Sequence, residues 1–365
     1  MSEVTESQVL ESLRKVIDPD LGRDIVSLGF VQDLKIEGGK VSFRLVLTTP
    51  ACPMKDKMKS ESEKALLALE GVEDVEVKLD ARTTSSRSPE DMLPGVKHVV
   101  LIGSGKGGVG KSTVAVNIAA ALKKTGASVG IMDADIYGPS IPPMLGLGEP
   151  PMVEGGKMVP PLAYGMPVMS IGFMVRDDDA LVWRGPILHK VLGQFASDVK
   201  WGELDYMIID LPPGTGDVQI SIAQLLKASG ALLVTTPQDI AFRDVRRAGV
   251  MFHKVSIPLL GLVENMAFFV CPSCGVQTDI FPHGKEDDIT EILPGLLIER
   301  LARFPIEPAI AASSESGVPI VISHPESKTA ERYCDLASRL AQKLAVLAHM
   351  SAEQVAASSA PTDQD

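Results

Sequence analysis

Hydrophobic and polar positions follow one pattern in the first 80 residues of the chain. Two segments space their apolar residues as helices do, and the others alternate as strands do. The predicted helices cover residues 7–18 and 54–71, and the predicted strands lie in residues 28–49, around Gly38-Gly39, and in 72–80. The paired glycines are typical of a hairpin turn. Residues 1–80 are therefore predicted to form a small α+β domain.

From Lys97 onward the pattern changes, because almost continuous apolar runs alternate with helical stretches. These runs are HVVLIGS (98–104), SVGIMDAD (128–135), LDYMIIDLP (204–212), ALLVTTP (231–237) and LLGLVEN (259–265). Strands that are apolar on both faces indicate a parallel sheet buried between layers of helices. The prediction for residues 97–348 is an α/β domain with a mostly parallel sheet covered by helices on both faces.

Two segments lack this patterning. Residues 81–96 are rich in Ser, Thr, Pro and Arg, which predicts a linker, and residues 349–365 are small and polar, which predicts a disordered tail. No apolar run reaches the about 18 residues of a membrane span, and the acidic, amphipathic first residues do not resemble a secretion signal. We expect a cytoplasmic protein without a membrane partner.

The charge balance narrows the classes of partner. Lys and Arg number 35 against 47 Asp and Glu, a net charge of −12. Nucleic-acid binding through bulk charge needs a basic surface, so no nucleic-acid partner is expected. The four cysteines are too few for a disulfide scaffold, and close cysteines in such a chain more often bind metal or do redox work.

A phosphate-binding loop is the strongest motif. The strand HVVLIGS leads into GKGGVGKS at 105–112 and then into a helix at 113–124, which is G-x-x-x-x-G-K-[ST] in its proper context. Backbone N–H groups and the helix dipole hold phosphates there, Lys111 reaches the β- and γ-phosphates, and Ser112 ligates Mg²⁺. The predicted nucleotide-binding residues of the loop are Gly105, Lys106, Gly107, Gly108, Val109, Gly110, Lys111, Ser112 and Thr113.

Lys106 is unusual at the second position of such a loop. Lys111 repels a second cation this close unless anionic oxygens lie between the two side chains. A partner subunit's nucleotide supplies those oxygens if Lys106 reaches across a dimer interface. The alternative is an ordinary surface lysine.

Three aspartates follow apolar strands near the loop. Asp133 and Asp135 fall on one face of an extended strand, and we favour Asp135 as the residue that orients the attacking water. Asp210 ends YMIID, a pattern typical of the aspartate that helps to hold Mg²⁺. Gly214 and Gly216 then form a candidate γ-phosphate switch. The alternative for each aspartate is a cap or turn residue.

Cys271 and Cys274 form a C-x₂-C pair, which supplies two ligands of a metal site. A Cys₄ zinc site or a [4Fe–4S] cluster needs four, and since the chain has no second pair, a symmetric dimer is the economical solution. Zinc with His283, a redox pair and a disulfide remain alternatives, and the spacing does not separate iron–sulfur from zinc. Cys52 is either a reactive thiol at a helix start or a small buried apolar residue.

Six motifs in order resemble the Mrp/ApbC family of iron–sulfur cluster carrier ATPases. That family belongs to the deviant Walker A, MinD-like group of P-loop NTPases. The motifs are GSGKGGVGKST (103–113), DADIYGPS (133–140), WRGPI (183–187), WGELDYMIIDLPPGTGDVQ (201–219), TTPQDIAFRDVRRA (235–248) and GLVENMAFFVCPSCG (261–275). DPDLGRDIVSLGFV (18–31) and LTTPACP (47–53) resemble the small SufT-type iron–sulfur assembly domain.

This resemblance implies a slow, Mg²⁺- and ATP-dependent homodimer that binds a labile [4Fe–4S] cluster between its subunits. It implies apo iron–sulfur proteins and cluster scaffold proteins as partners. The implied roles are Lys106 acting in trans, Lys111 and Ser112 on phosphate and Mg²⁺, Asp135 in hydrolysis, Asp210 in switch II, Asn265 near the adenine, and Cys271 and Cys274 as cluster ligands. Residues 279–288 depart from the family, because a charged run replaces most of its glycines after Ile280-Phe281.

Two other functions share parts of this sequence. A MinD- or ParA-like spatial organiser has the same loop, but its membrane forms need a basic amphipathic tail, and the paired cysteines have no role in it. A nucleotide-dependent electron donor of the nitrogenase-reductase type also bridges a cluster, although its cysteines are widely separated. Delivery of a cluster to an apo-acceptor, as against reduction of that acceptor, distinguishes the carrier from the electron donor.

Overall fold

The chain forms two compact units. A computed structural model describes residues 4–83, 85, 87, 91–174, 185–281 and 289–359. The first unit comprises Met1–Ser86 and Ala341–Asp365, and the second comprises Arg87–Leu340. The boundary at residue 87 falls within the predicted linker, whereas the return of the chain to the first unit at residue 341 was not predicted.

The first unit contains a three-stranded sheet with two helices. Its elements are α1 (Glu6–Leu13), β1 (Ile17–Asp18), β2 (Arg23–Asp24), β3 (Val31–Glu37), β4 (Lys40–Leu47), α2 (Lys55–Leu67) and β5 (Asp74–Ala81). Strands β3 and β4 are antiparallel, and their turn places Gly38 and Gly39 at φ of 55° and 88°, which favour glycine. Strand β5 lies parallel to β4. Helix α1 is shorter than predicted, because residues 17 and 18 pair with β2 instead.

The second unit is built on a large sheet. Its elements are β6 (Val96–Ser104), α3 (Lys111–Lys124), β7 (Val129–Asp133), α4 (Ile141–Met144), β8 (Met152–Glu154), β9 (Lys157–Val159), β10 (Leu162–Ala163), β11 (Met166–Ser170), α5 (Gly185–Ser197), β12 (Leu204–Asp210), α6 (Asp217–Leu225), β13 (Gly230–Thr235), α7 (Asp239–Lys254), β14 (Leu259–Val270), β15 (Gln277–Thr278), β16 (Ile289–Leu293), β17 (Leu296–Ile306), α8 (Pro308–Glu315), α9 (Ile320–Ser323) and α10 (Lys328–Ser359), which also enters the first unit.

The strand order is β10-β11-β7-β12-β6-β13-β14-β17-β16, with β15 beside β14. Strands β11, β7, β12, β6, β13, β14 and β17 run parallel to one another, whereas β10, β15 and β16 pair antiparallel with β11, β14 and β17. The central strands are almost fully buried, as apolar strands with helices on the sheet must be. The predicted α/β fold with a preceding small domain is therefore confirmed. Strands β11 and β17 were not predicted.

The central register brings three strand ends to one edge of the sheet. Asp210 of β12 pairs with Asp133 of β7 on one side and with Ile102 of β6 on the other. The chain leaves β6 two residues later, at Ser104, and enters the glycine-rich loop. Open α/β sheets bind ligands at this carboxyl edge, so the topology places the loop and both aspartates where a ligand is expected.

Helix α10 continues to Ser359, past residue 349, where the sequence predicted a disordered tail. Its last turns are rich in alanine, which has the highest helix propensity. The prediction of disorder relied on the small and polar composition of this segment and did not take that propensity into account. The amide of Gln342 donates to a carboxylate oxygen of Asp20 within the first unit. Residues 360–365 lie outside the described residues. Within the described part of the chain, no helix is long and apolar enough to cross a bilayer.

Candidate functional site

The glycine-rich loop joins β6 to α3 and needs its glycines. Gly108 and Gly110 have φ of 76° and 80°, in the left-handed region that disfavours side chains, and Gly110 caps the helix. A Cβ on Gly110 would lie 2.2 Å from Nδ2 of Asn265, and one on Gly105 would lie 2.2 Å from the backbone carbon of Asp244. Backbone conformation and close packing therefore both exclude larger residues here.

A cavity of about 520 Å³ opens beside this loop. Its lining combines most of the predicted loop residues with side chains from α4, α8 and the segments after β7 and β12. The lining residues are Ser104, Lys106, Gly107, Gly108, Val109, Gly110, Lys111, Ser112, Thr113, Asp135, Gly138, Ser140, Pro143, Met144, Pro213, Ser314 and Glu315. The predicted residues Gly105, Asp210 and Asn265 are not part of this lining, although Asp210 and Asn265 form hydrogen bonds with residues that are. The backbone donors and Lys111 make the cavity suited to phosphate oxygens.

Lys111 links two of the predicted carboxylates. Its Nζ lies 2.6 Å from Oδ1 of Asp210 and 3.3 Å from Oδ2 of Asp135. Complete burial raises the pKa of Asp210, while the charge of Lys111 and hydrogen bonds from Lys111 and Ser112 oppose that rise. The structure thus brings together the loop lysine and both aspartates that the sequence had picked out separately.

Ser112 and Asp210 fit a magnesium ion. The Ser112 hydroxyl donates to Oδ2 of Asp210 at 2.5 Å, so two hard oxygen donors meet at the first turn of α3. Hydroxyl and carboxylate oxygens are the donors that Mg²⁺ takes from P-loop proteins, alongside phosphates and water. When bound, the ion would neutralise charge between the β- and γ-phosphates.

Asp133 and Asp135 occupy different environments. Asp133 is fully buried, and burial together with the charge of Asp210 raises its pKa to about 7. Asp135 lines the cavity and pairs with Lys111. Of the two aspartates, Asp135 is thus the one that faces the cavity, and its predicted role in orienting the attacking water stays a prediction.

Lys106 has a partner that the sequence did not reveal. Its Nζ donates to Oε1 of Gln238 at 3.1 Å, and Gln238 immediately precedes α7. Both residues are half-buried, and Lys106 lines the cavity. Gln238 lies in the TTPQD motif, which was the available signal, but nothing in the sequence paired it with Lys106.

Asn265 contacts the loop backbone. Its Nδ2 donates to the carbonyl of Val109 at 2.9 Å, and its side chain packs against Gly110. It therefore anchors the loop to β14. A role near the adenine stays a prediction.

The segment after Asp210 closes another side of the cavity. The Gly214 N–H donates to the carbonyl of Ser104 at 3.0 Å, and Gly214 has a φ of 106°. Pro213 lines the cavity beside it. This hydrogen bond joins the segment to the end of β6, directly before the loop, and the switch role of Gly214 and Gly216 stays a prediction.

The paired cysteines lie on a hairpin between β14 and β15. Cys271 N–H donates to the Val276 carbonyl at 3.0 Å, and Gly275 N–H donates to the Cys271 carbonyl at 2.8 Å. The backbone N–H groups of Cys274 and Ser273 point at the Cys271 sulfur and lower the pKa of its thiol. Cys271 is partly exposed and Cys274 is exposed, so both sulfurs are accessible to a metal or a cluster.

The surroundings of the hairpin are apolar rather than ligating. Val270, Val276 and Ile280 are exposed around the cysteines. Among the described residues, no group of three or more His, Cys, Asp or Glu could hold a metal ion. His283, the alternative zinc ligand, and the charged run up to residue 288 lie outside the described residues.

Cys52 lies in the first unit and is buried. Burial raises the pKa of its thiol to about 11. Of the two interpretations left open by the sequence, this environment favours the small buried apolar residue over a reactive thiol.

Sequence reasoning missed several cavity residues. Ser140 precedes α4, and Ser314 and Glu315 end α8. They reach the cavity from segments distant in sequence, and α8 follows strand β17, which was not predicted. Only the GPS triplet at 138–140, which ends the DADIYGPS motif, offered a signal.

Two family profiles cover most of the chain. The profile described as NUBPL iron-transfer P-loop NTPase matches residues 95–341. The profile described as iron-sulfur cluster assembly protein matches residues 6–79. The first match contains the loop, the aspartates and the paired cysteines, and the second contains the elements α1 to β5 up to residue 79.

Individual proteins are similar to the chain. The iron-sulfur cluster carrier protein of Deinococcus radiodurans is 46% identical over 340 residues, covering 93% of this chain and 95% of that protein. A nucleotide-binding protein of Archaeoglobus fulgidus, solved in complex with ADP, is 36% identical with a TM-score of 0.56 over 67% of this chain and 96% of its own. The cell division ATPase MinD of Pyrococcus furiosus is 26% identical with a TM-score of 0.51 over 66% of this chain and 97% of its own.

Proposed function

Since this chain belongs to the NUBPL iron-transfer P-loop NTPase family, we propose that it is an ATP-dependent carrier that delivers a [4Fe–4S] cluster to apo-proteins. The chain is a nucleotide-binding P-loop NTPase with an iron–sulfur cluster assembly domain before it. The proposal adds that the cluster is the cargo, that it is held between two copies of the chain, and that it passes intact to an acceptor. The observation that carries it is one accessible cysteine pair in the same unit as a complete phosphate site.

The first part of the proposal is ATP hydrolysis. Water attacks the γ-phosphorus, the bond to the β,γ-bridging oxygen breaks, and ADP and phosphate leave. Lys111 and the amino end of α3 counter the charge of the phosphates, and Asp135 orients the water. Lys106 reaches the nucleotide of the partner subunit, so turnover is slow until two copies close on each other.

The second part concerns the cluster. Four thiolates complete a [4Fe–4S] site, and each copy contributes Cys271 and Cys274. The lowered pKa of the Cys271 thiol favours the ligating thiolate. The exposed Val270, Val276 and Ile280 around the pair are available to exclude water once two hairpins meet. Exchange of these thiolates for those of an acceptor moves the cluster without an electron being gained or lost.

Scaffold proteins that build clusters are the proposed donors, and apo iron–sulfur proteins the acceptors. The D. radiodurans relative is named as an iron-sulfur cluster carrier, which supports this assignment. We also propose a cytoplasmic location, because all four cysteines are free, as is usual in a reducing compartment.

Anaerobic reconstitution tests the proposal. The wild-type protein should bind about four iron and four sulfide per dimer, and Cys271→Ala and Cys274→Ala should bind none. Cys334→Ala is the matched control, because Cys334 lies on α10 and is not part of the hairpin. Zinc at one ion per dimer with no sulfide would contradict the cluster assignment.

Transfer is measured separately. The loaded protein should activate an apo-enzyme that needs a [4Fe–4S] cluster, while a chemical reductant alone should not. If the protein only reduces an acceptor that already holds its cluster, the electron-donor function replaces the carrier function.

A further inference from the structure

Asp133 holds both ends of the segment that follows β7. Its Oδ1 accepts a hydrogen bond from the backbone N–H of Asp135 at 3.1 Å, and its Oδ2 accepts one from the N–H of Ile141 at 3.2 Å. One buried side chain therefore fixes the start and the end of residues 135–141.

Ser170 of the neighbouring strand β11 fixes the Asp133 carboxylate in turn. Its hydroxyl donates to Oδ2 of Asp133 at 2.8 Å, while its oxygen accepts the N–H of Gly172 at 2.9 Å. Ser170 and Asp133 are also register partners in the sheet. Because Gly172 occupies an acceptor site of the hydroxyl, its hydrogen is directed at Asp133.

We call the hydrogen bonds of Asp133 to Asp135, Ile141 and Ser170 the clamp. The segment that it holds carries three residues of the nucleotide cavity, namely Asp135, Gly138 and Ser140. The Asp135 carboxylate is itself held between Lys111 Nζ at 3.3 Å and the N–H of Tyr137 at 3.2 Å. Asp133 is fully buried and does not line the cavity, and its hydrogen bonds reach the cavity residues through this segment.

We propose that Asp133, held by Ser170, is a positioning residue for ATP hydrolysis that keeps Asp135 in place through residues 135–141. The proposal rests on the proposed role of Asp135 in hydrolysis. Both oxygens of Asp133 accept from N–H or O–H donors. An asparagine has one acceptor oxygen, and its amide group would face an N–H or O–H donor. Asp133→Asn therefore breaks one side of the clamp while keeping the side-chain shape.

Steady-state ATP hydrolysis and nucleotide affinity test the proposal. Asp133→Asn should lower kcat about tenfold or more, since small misplacements of a catalytic group have effects of that size. The affinity for ADP and the KM for ATP should change less than about threefold. Ser170→Ala should lower kcat in the same direction by a smaller factor. The double variant should resemble Asp133→Asn alone, because both substitutions open one clamp.

The decisive comparison is made in a protein that already carries Asp135→Asn. If Asp133 acts through Asp135, adding Asp133→Asn to Asp135→Asn should change the residual kcat by less than about twofold. A full further loss in that background would overturn the proposal, as would a wild-type kcat in Asp133→Asn. An Asp135→Asn variant with wild-type kcat would reject the role of Asp135 in hydrolysis. This single variant therefore tests the proposed function separately from the role of Asp133.

Folding is monitored in every variant by thermal unfolding. Should Asp133→Asn fail to fold, Ser170→Ala and its combination with Asp135→Asn make the same comparison with a milder change. Parallel losses of kcat and ADP affinity in Ser170→Ala would indicate a merely structural role and would overturn the proposal.

Discussion

Lys111 and Asp210 form a buried ion pair, with 2.6 Å between Nζ and Oδ1, across 99 positions of sequence. The lysine begins helix α3 and the aspartate ends strand β12. Asp135 lies 3.3 Å from the same ammonium. One cation thus compensates two carboxylates in a site that excludes most solvent. This arrangement makes the loop lysine a structural residue as well as a candidate phosphate ligand.

Lys111→Ala should therefore reduce both stability and hydrolysis. Removing one partner of a buried pair leaves uncompensated charge and costs about 3–5 kcal/mol. We expect the free energy of unfolding in urea to fall by that order, with the fold retained and ATP hydrolysis lost. Hydrolysis at the wild-type rate would reject the assignment of the phosphate site.

Lys106→Ala should separate function from stability. Lys106 is half-buried and makes one hydrogen bond to the Gln238 amide, so its removal should cost about 1 kcal/mol or less. Hydrolysis should nevertheless be lost if Lys106 acts on the partner's nucleotide. The measurements are urea unfolding and ATP turnover at several protein concentrations. Unchanged turnover would leave Lys106 as an ordinary surface lysine.

Thiol reactivity should follow local environment. The pKa of the Cys271 thiol is lowered by N–H donors, whereas burial raises the pKa of Cys52 to about 11. Because the thiolate is the reactive form, iodoacetamide at pH 7.5 should modify Cys271 well before Cys52, and Cys52 should begin to react only as the pH approaches 11. Peptide mass spectrometry over time measures the order, and faster labelling of Cys52 would contradict it.

Gly105→Ala should disturb the loop through packing. A Cβ at this position would lie 2.2 Å from the backbone carbon of Asp244, so α7 or the loop must shift. We expect a cost of about 1–3 kcal/mol, typical of overpacking, and weaker ADP binding. Gly148→Ala is the matched control, because a Cβ there meets nothing within 4 Å. Equal unfolding free energies for the two variants would show that the loop accommodates the methyl group.

Local sequence patterns predicted much of the fold and of the candidate site. The apolar runs predicted the central strands, and the loop motif predicted its own strand, turn and helix, because these depend on residues near one another in sequence. The C-x₂-C pair likewise needs only a short hairpin. The aspartates at strand ends were predicted to approach the loop, since parallel strands present their carboxyl ends at one edge.

Tertiary structure decided the contacts between distant segments. Strands β11 and β17 went unrecognised, and with them Ser170, which fixes Asp133, and Glu315, which lines the cavity. The pairing of Lys106 with Gln238 and the burial of Cys52 also depend on which elements pack together. Helix α10 continues into the predicted tail, and its Gln342, which precedes that tail, contacts Asp20 in the first unit. These features depend on residues that lie far apart along the chain. Burial and hydrogen bonding between distant residues arise only when the elements pack together, so no local sequence pattern predicts them.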